Sequence, residues 1–204
     1  MVTHSARVDD TTAKRVAVSH ADQGIVVSGD PGSGKTTFVE LLSAEYGKKV
    51  YSVGEYWRKK YKEEHPRGDI TFEEYWRSRS DSDQLEANIN LKHYALLGYI
   101  VDTRYASIFD KREYLIIYLH APLEVRAVRL ATRPEYSGKT IKEIEAILAA
   151  RQEDEVAVGK RLFGVDYRDH NFYNLILNSC LLTPEEELAA VKIEMRWMMN
   201  LARR

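Results

Sequence analysis

Residues Gly29-Asp30-Pro31-Gly32-Ser33-Gly34-Lys35-Thr36 match the pattern G-x-x-x-x-G-K-[ST] at every required position. The flanks constrain the fold as much as the motif does. Before it runs Gly24-Ile25-Val26-Val27-Ser28, apolar and rich in β-branched residues, and after it Phe38, Val39, Leu41 and Leu42 recur at helical spacing. A strand feeding a glycine-rich turn feeding a helix aims several backbone N–H groups at one point. The positive end of the helix dipole lies at the same point. Lys35 adds a mobile cation for the outer phosphates of a nucleoside triphosphate, and Thr36 adds a hydroxyl for Mg²⁺.

Beyond this turn the chain alternates. Strand-like runs recur at Lys49–Val53, Tyr99–Val101, Tyr114–Leu119 and Leu175–Leu177, with helical patterns between them. Short β-rich runs separated by helices predict a parallel sheet covered on both faces. Three helix starts carry capping boxes, Thr71 with Glu74, Thr140 with Glu143 and Thr183 with Glu186, the last strengthened by Pro184. In the final helix Leu188, Val191, Met195, Met198 and Ala202 share a face, with Leu201 beside it, a stripe expected to pack on the core.

With 204 residues the chain suits one domain, and its net charge of −1 argues against nucleic acid or a membrane surface as partner. No apolar stretch has the length or flanks of a signal peptide or a membrane span. Residues 1–23 read as a polar lead-in, and residues 24–204 as the single domain. The lone Cys180 rules out an internal disulfide and suits a reducing cytoplasm, and its place after Leu175-Ile176-Leu177 predicts a small, mostly buried residue. The expectation is a cytoplasmic monomer whose partners are small molecules.

Two stretches break the alternation: 54–98, helical and crowded with Tyr, Trp, Arg and Asp, and 133–161, which opens on the turn-rich Arg133-Pro134-Glu135-Tyr136-Ser137-Gly138. Long insertions at the carboxyl ends of parallel strands are where α/β proteins hold substrates, so the first is expected to bind the acceptor and the second to act as a lid. Asp102, at the end of a strand beside the glycine-rich turn, is the expected second anchor for Mg²⁺. Arg104 leaves the same strand end and could hold an acceptor phosphate bidentately. Arg126, Arg129 and Arg133 share one helix face, and Arg151 lies on the returning helix. Arg126 is expected to be a solvated surface charge; Arg133, at the junction of helix and lid, is expected to swing over the transferring phosphate, where positive charge and exclusion of water favour transfer over hydrolysis.

Together these features resemble the nucleoside monophosphate kinases, and several segments are similar to the cytidylate kinases of the archaeal type. Those segments are Ser52-Val53-Gly54-Glu55-Tyr56-Trp57-Arg58, Thr71-Phe72-Glu73-Glu74-Tyr75, the run from Tyr118 to Ala127 through Ala121-Pro122, Phe163-Gly164-Val165-Asp166, and Leu182-Thr183-Pro184-Glu185-Glu186. The resemblance implies a P-loop NTPase fold of three α/β/α layers on a five-stranded parallel sheet, with a helical acceptor-binding insertion and a short lid. It implies ATP held by Gly29, Asp30, Pro31, Gly32, Ser33, Gly34, Lys35, Thr36 and Thr37, with Arg129 stacked on the adenine. It further implies Mg²⁺ at Thr36 and Asp102, acceptor phosphate on Arg58 and Arg104, acceptor base or sugar near Asp83, and Lys35, Asp102, Arg133 and Arg151 as the catalytic groups. The acceptor so implied is CMP or dCMP, with AMP or a non-nucleotide metabolite as the alternative kinase reading and a nucleotide-driven switch or assembly protein as the alternative outside catalysis. Three departures stand out. Val158 occupies a position where the family commonly has arginine, leaving Lys160 or Arg161 as substitutes. Asp102-Thr103 stands where Glu-Gly is usual, and the 54–98 stretch is unusually rich in Tyr and Trp.

Overall fold

The computed structural model of the protein describes residues 24–202, and side chains as far as residue 200. The lead-in expected at 1–23 lies outside the described residues. Five strands, β1 (Gly24–Gly29), β2 (Val50–Ser52), β3 (Ile100–Asp102), β4 (Tyr114–His120) and β5 (Leu175–Asn178), form one sheet. Its order is β2-β3-β1-β4-β5 and every neighbouring pair is parallel. The helices are α1 (Lys35–Tyr46), α2 (Val53–Glu64), α3 (Phe72–Arg77), α4 (Asp81–Ile89), α5 (Leu91–Leu96), α6 (Leu123–Leu130), α7 (Ile141–Phe163) and α8 (Pro184–Ala202).

Side-chain alternation along the central strands builds the three layers. Ile25, Val27, Leu115, Ile117 and Leu119 pack with Phe38 and Leu42 of α1 and Val191 and Met195 of α8. Val26, Val101, Ile116 and Tyr118 take part in the other layer, with Leu91 and Ala95 of α5 and Val156 of α7. The expected stripe of α8 is in the first layer through Leu188, Val191, Met195 and Met198; the side chains of Leu201 and Ala202 lie outside the description. Among the described residues no helix is long and apolar enough to cross a membrane.

Local chemistry explains where elements begin. The capping boxes at Thr71 and Thr140 form, and Thr183 and Glu186 exchange the same pair of bonds. A fourth box, Ser80 with Asp83, opens α4 and was not anticipated, its closing residue being Asp rather than Glu or Gln. Strand β2 stops a residue earlier than expected because the Ser52 hydroxyl accepts the N–H of Glu55 and so starts α2 at Val53. Cys180 departs from expectation: it is exposed. Strand β5 runs on to Asn178, whose side-chain oxygen accepts the Cys180 N–H at 3.0 Å and holds the thiol in a surface turn.

The 54–98 stretch folds as most of α2 with α3, α4 and α5. Trp57, Tyr75, Trp76 and Ala87 form its own small core with Tyr105 and Val158, which absorbs much of the aromatic excess seen in the sequence.

Candidate active site

At the carboxyl edge of the sheet the chain leaves β1 through a turn that requires glycine. Gly29 has φ 140°, and a Cβ there would overlap the Leu119 carbonyl of β4. Gly32, at φ 80°, lies against the backbone of Arg126, where a Cβ would come within 3.0 Å of the carbonyl oxygen. Lys35 begins α1 and folds back over the turn, its Nζ donating to the carbonyls of Gly29 at 2.7 Å and Asp30 at 2.9 Å. Desolvation, assisted by the nearby Arg104, lowers its pKa to about 7, against a smaller upward pull from Asp102, Glu155 and Asp30.

Two arginines brace this turn from behind. Arg126, expected as a surface charge, is 4% exposed. Its Nε donates to Ala121 O at 3.0 Å, Nη1 to Pro31 O at 3.4 Å and Nη2 to Gln152 Oε1 at 3.1 Å. The sequence conceals this because two of the partners are backbone carbonyls, one of them in a segment 95 residues away. Arg129, expected against an adenine, donates from Nη1 to Ser33 O and Ser179 Oγ and from Nη2 to Ser179 O. It sits beside the turn and does not line the cleft described next.

A cleft of about 470 Å³ opens in front of the turn. Pro31, Gly32, Gly34, Lys35, Thr36 and Thr37 line one side, and Arg58, Asp102, Arg104, Arg133 and Arg151 converge on it from β3, α2, α7 and the segment after α6. Asp102 pairs in register with Val27 of β1, which sets it at the sheet edge beside the turn. Its Oδ2 accepts from Ser52 Oγ at 2.7 Å, so the carboxylate is held by one neighbour with acceptor capacity left over. Among the described residues no group of three or more His, Cys, Asp or Glu could cage a metal. A hydroxyl at Thr36 and a carboxylate at Asp102 on the same cleft nevertheless suit Mg²⁺, which takes few protein oxygens and fills its shell with phosphate and water.

The cations differ in what they already hold. Arg104 is engaged: its Nε lies 2.7 Å from Glu155 Oε2, and its guanidinium lies over Tyr167 at 5.3 Å. Burial is the largest single influence and opposes its charge, but Glu155, Tyr167, Asp30 and Tyr118 together hold the pKa above the ordinary arginine range. Glu155, which the sequence pattern does not single out, therefore takes the Nε and Nη2 side of the Arg104 fork, while Nη1 is buried without a hydrogen-bond partner. Arg151 shares the same carboxylate, Nε to Oε1 at 3.1 Å, and lies 3.8 Å from Glu73. Arg133 is half-exposed beside Glu135 at 3.8 Å. Among the described residues Arg58 has no carboxylate within ion-pair distance. Burial lowers its pKa, and nearby Arg133 and Arg151 lower it further against the pull of Asp102. Positive charge thus accumulates on the cleft without full internal neutralisation.

Three expectations meet a different arrangement. Asp83 caps α4, taking the Ser80 N–H at 2.9 Å, and does not line the cleft; the adjacent Gln84 and Asn88 do. Val158, where an arginine was expected, is 8% exposed in the aromatic core of the helical stretch. Neither candidate substitute reaches the cleft: Lys160 lies 3.2 Å from Asp166 and Arg161 lies 2.6 Å from Asp81. The i,i+4 spacing of Arg151 and Glu155, and that of Gln84 and Asn88, were the available signals for what was missed.

Comparisons with known proteins identify the family. The sequence pattern of the AAA domain family matches residues 25–155. The cytidylate kinase of Sulfolobus acidocaldarius is 30% identical over 79% of this chain and 88% of its own length. That of Pyrococcus furiosus is 30% identical over 82% of this chain and 85% of its own. Among solved structures, a shikimate kinase from Acinetobacter baumannii superposes with a TM-score of 0.55 at 14% identity, covering 86% of this chain and 93% of that one, a likeness of fold alone.

Proposed function

The chain belongs to the AAA domain family and is a nucleoside monophosphate kinase of the cytidylate kinase kind, and from that premise we propose that it transfers the γ-phosphate of ATP to CMP or dCMP. The observation that carries the reading is the single cleft in which Lys35 and the glycine-rich turn face Arg58, Arg133 and Arg151. Phosphoryl transfer needs alignment and charge neutralisation more than acid–base groups, and this cleft is equipped for both.

In this reading the turn from Gly29 to Thr37 holds the phosphates of ATP, and Lys35 exchanges its two carbonyl partners for phosphate oxygens. Thr36 and Asp102 would hold Mg²⁺, which supplies neutralising charge to the phosphates when bound. Arg58, with no ion-pair partner among the described residues, takes the acceptor phosphate, and Arg104 adds charge beside it while tied to Glu155. Arg133 and Arg151 lie over the group in flight. The acceptor phosphate is itself the nucleophile, so no general base is required. A switch protein would have little use for three arginines opposite a triphosphate site.

A coupled ATP-consumption assay with Mg²⁺ and a panel of nucleoside monophosphates, with shikimate as a non-nucleotide control, tests the proposal. The highest kcat/KM is expected with CMP or dCMP. Turnover of AMP or shikimate alone would transfer the reading to another acceptor, and ATP-dependent association without turnover would replace it with a switch.

A further inference from the structure

We infer that Gln84 reads the hydrogen-bonding edge of the acceptor base, and that it does so in either orientation of its amide, so that uracil is accepted alongside cytosine. The inference rests on the monophosphate-kinase reading and deepens it. Gln84 and Asn88 stand one turn apart on α4, 3% and 4% exposed, and both line the cleft. Their amides are in opposite conditions. The Asn88 amide is fixed: Nδ2 donates to Gln84 O at 2.8 Å, and Oδ1 accepts from the Thr103 hydroxyl at 3.4 Å. That hydroxyl is oriented in turn by the Tyr105 N–H at 3.2 Å. The Gln84 side chain makes no hydrogen bond to any described residue, although its own N–H and carbonyl are engaged by Ser80 and Asn88.

The Gln84 carboxamide lines the cleft and has no protein partner among the described residues, so its donor and acceptor are available to a ligand. A ligand that presents a donor and an acceptor side by side would satisfy it, and a flat one suits a cleft that Trp57, Phe72 and Trp76 also line. A nucleobase edge meets both conditions. Cytosine presents its amino group beside N3, and uracil presents O4 beside N3–H, the same pair reversed. A carboxamide presents both a donor and an acceptor and complements either edge after a half-turn. Nothing among the described residues fixes which way Gln84 faces. Asn88, by contrast, is locked and serves to position the carbonyl of Gln84.

The experiment compares kcat/KM for CMP and UMP in the wild type, Gln84→Leu and Gln84→Glu, with ATP affinity measured alongside. The wild type is expected to use the two pyrimidines within about tenfold of each other. Both variants should lose about tenfold or more on each, with ATP affinity unchanged, since a lost base contact is worth at least that factor. Gln84→Glu keeps the shape but exchanges the donor for a second acceptor and a negative charge, so it decides the question if Gln84→Leu fails to fold. Smaller losses in Gln84→Glu, or wild-type discrimination beyond about tenfold, overturn the inference while leaving the kinase reading in place. Wild-type failure on both pyrimidines overturns the acceptor reading itself.

Discussion

Replacing Glu155 with glutamine tests whether the cleft depends on one buried carboxylate. Glu155 is 3% exposed, and its oxygens lie 2.7 Å from Arg104 Nε and 3.1 Å from Arg151 Nε. Glutamine preserves the shape and removes the charge. Arg151 retains Glu73 at 3.8 Å and is partly solvated, so most of the loss falls on Arg104. The Arg104 side chain is 14% exposed and has no other carboxylate within ion-pair distance among the described residues. Stranding one partner of a buried pair costs about 3–5 kcal/mol, and an amide oxygen that still accepts one bond leaves roughly 2–4 kcal/mol. For a domain of this size each kcal/mol moves Tm by about 2–4 °C, giving a fall of roughly 4–16 °C. Thermal unfolding followed by circular dichroism measures it. The double variant Arg104→Met with Glu155→Leu, which removes both charges, should recover much of the loss. A fall under about 2 °C in Glu155→Gln, or a double variant less stable than the single one, would refute the reasoning.

Three further outcomes follow from named contacts. Arg58→Ala should lower kcat/KM for the acceptor by about a hundredfold, the worth of a lost charge-assisted contact, while ATP affinity stays within about twofold; a fall in ATP affinity instead would move Arg58 to the donor side. Burial lowers the Lys35 pKa to about 7, but a bound phosphate requires its ammonium form. Above that pH binding must take up a proton, so calorimetric ATP affinity should fall by up to about tenfold per pH unit, a dependence that Lys35→Met abolishes and that a flat wild-type profile would disprove. Arg126→Met leaves the carbonyls of Ala121 and Pro31 without their donor, and should weaken ATP binding by about tenfold and lower Tm with little change in acceptor KM.

What could be read from the sequence was short-range. The turn from Gly29 to Thr36 is specified by glycines at positive φ, two of which, Gly29 and Gly32, also leave no room for a side chain, within one strand and one helix start. The capping boxes at Thr71, Thr140 and Thr183 each span four residues, and the two-sided burial of Ile25, Val26 and Val27 follows from adjacent β-branched residues in a central strand. Even the resemblance to known kinases was carried by short segments.

The tertiary structure decided which of these groups remain available to a ligand. Arg58, Arg104, Arg126 and Arg151 are the same residue type, yet only Arg58 faces the cleft without a partner, while Arg104 is joined to Glu155 across 51 residues and Arg126 to Pro31 across 95. Asp83 and Gln84 are neighbours in sequence, but one helix cap takes the carboxylate and turns the next side chain into the cleft. An ion pair or a buried amide depends on burial and on separations of a few ångströms between distant segments. The chain therefore carries the phosphate-binding turn in its local pattern, whereas which of its described cations and amides stay available to a ligand is settled only once the sheet and helices have packed.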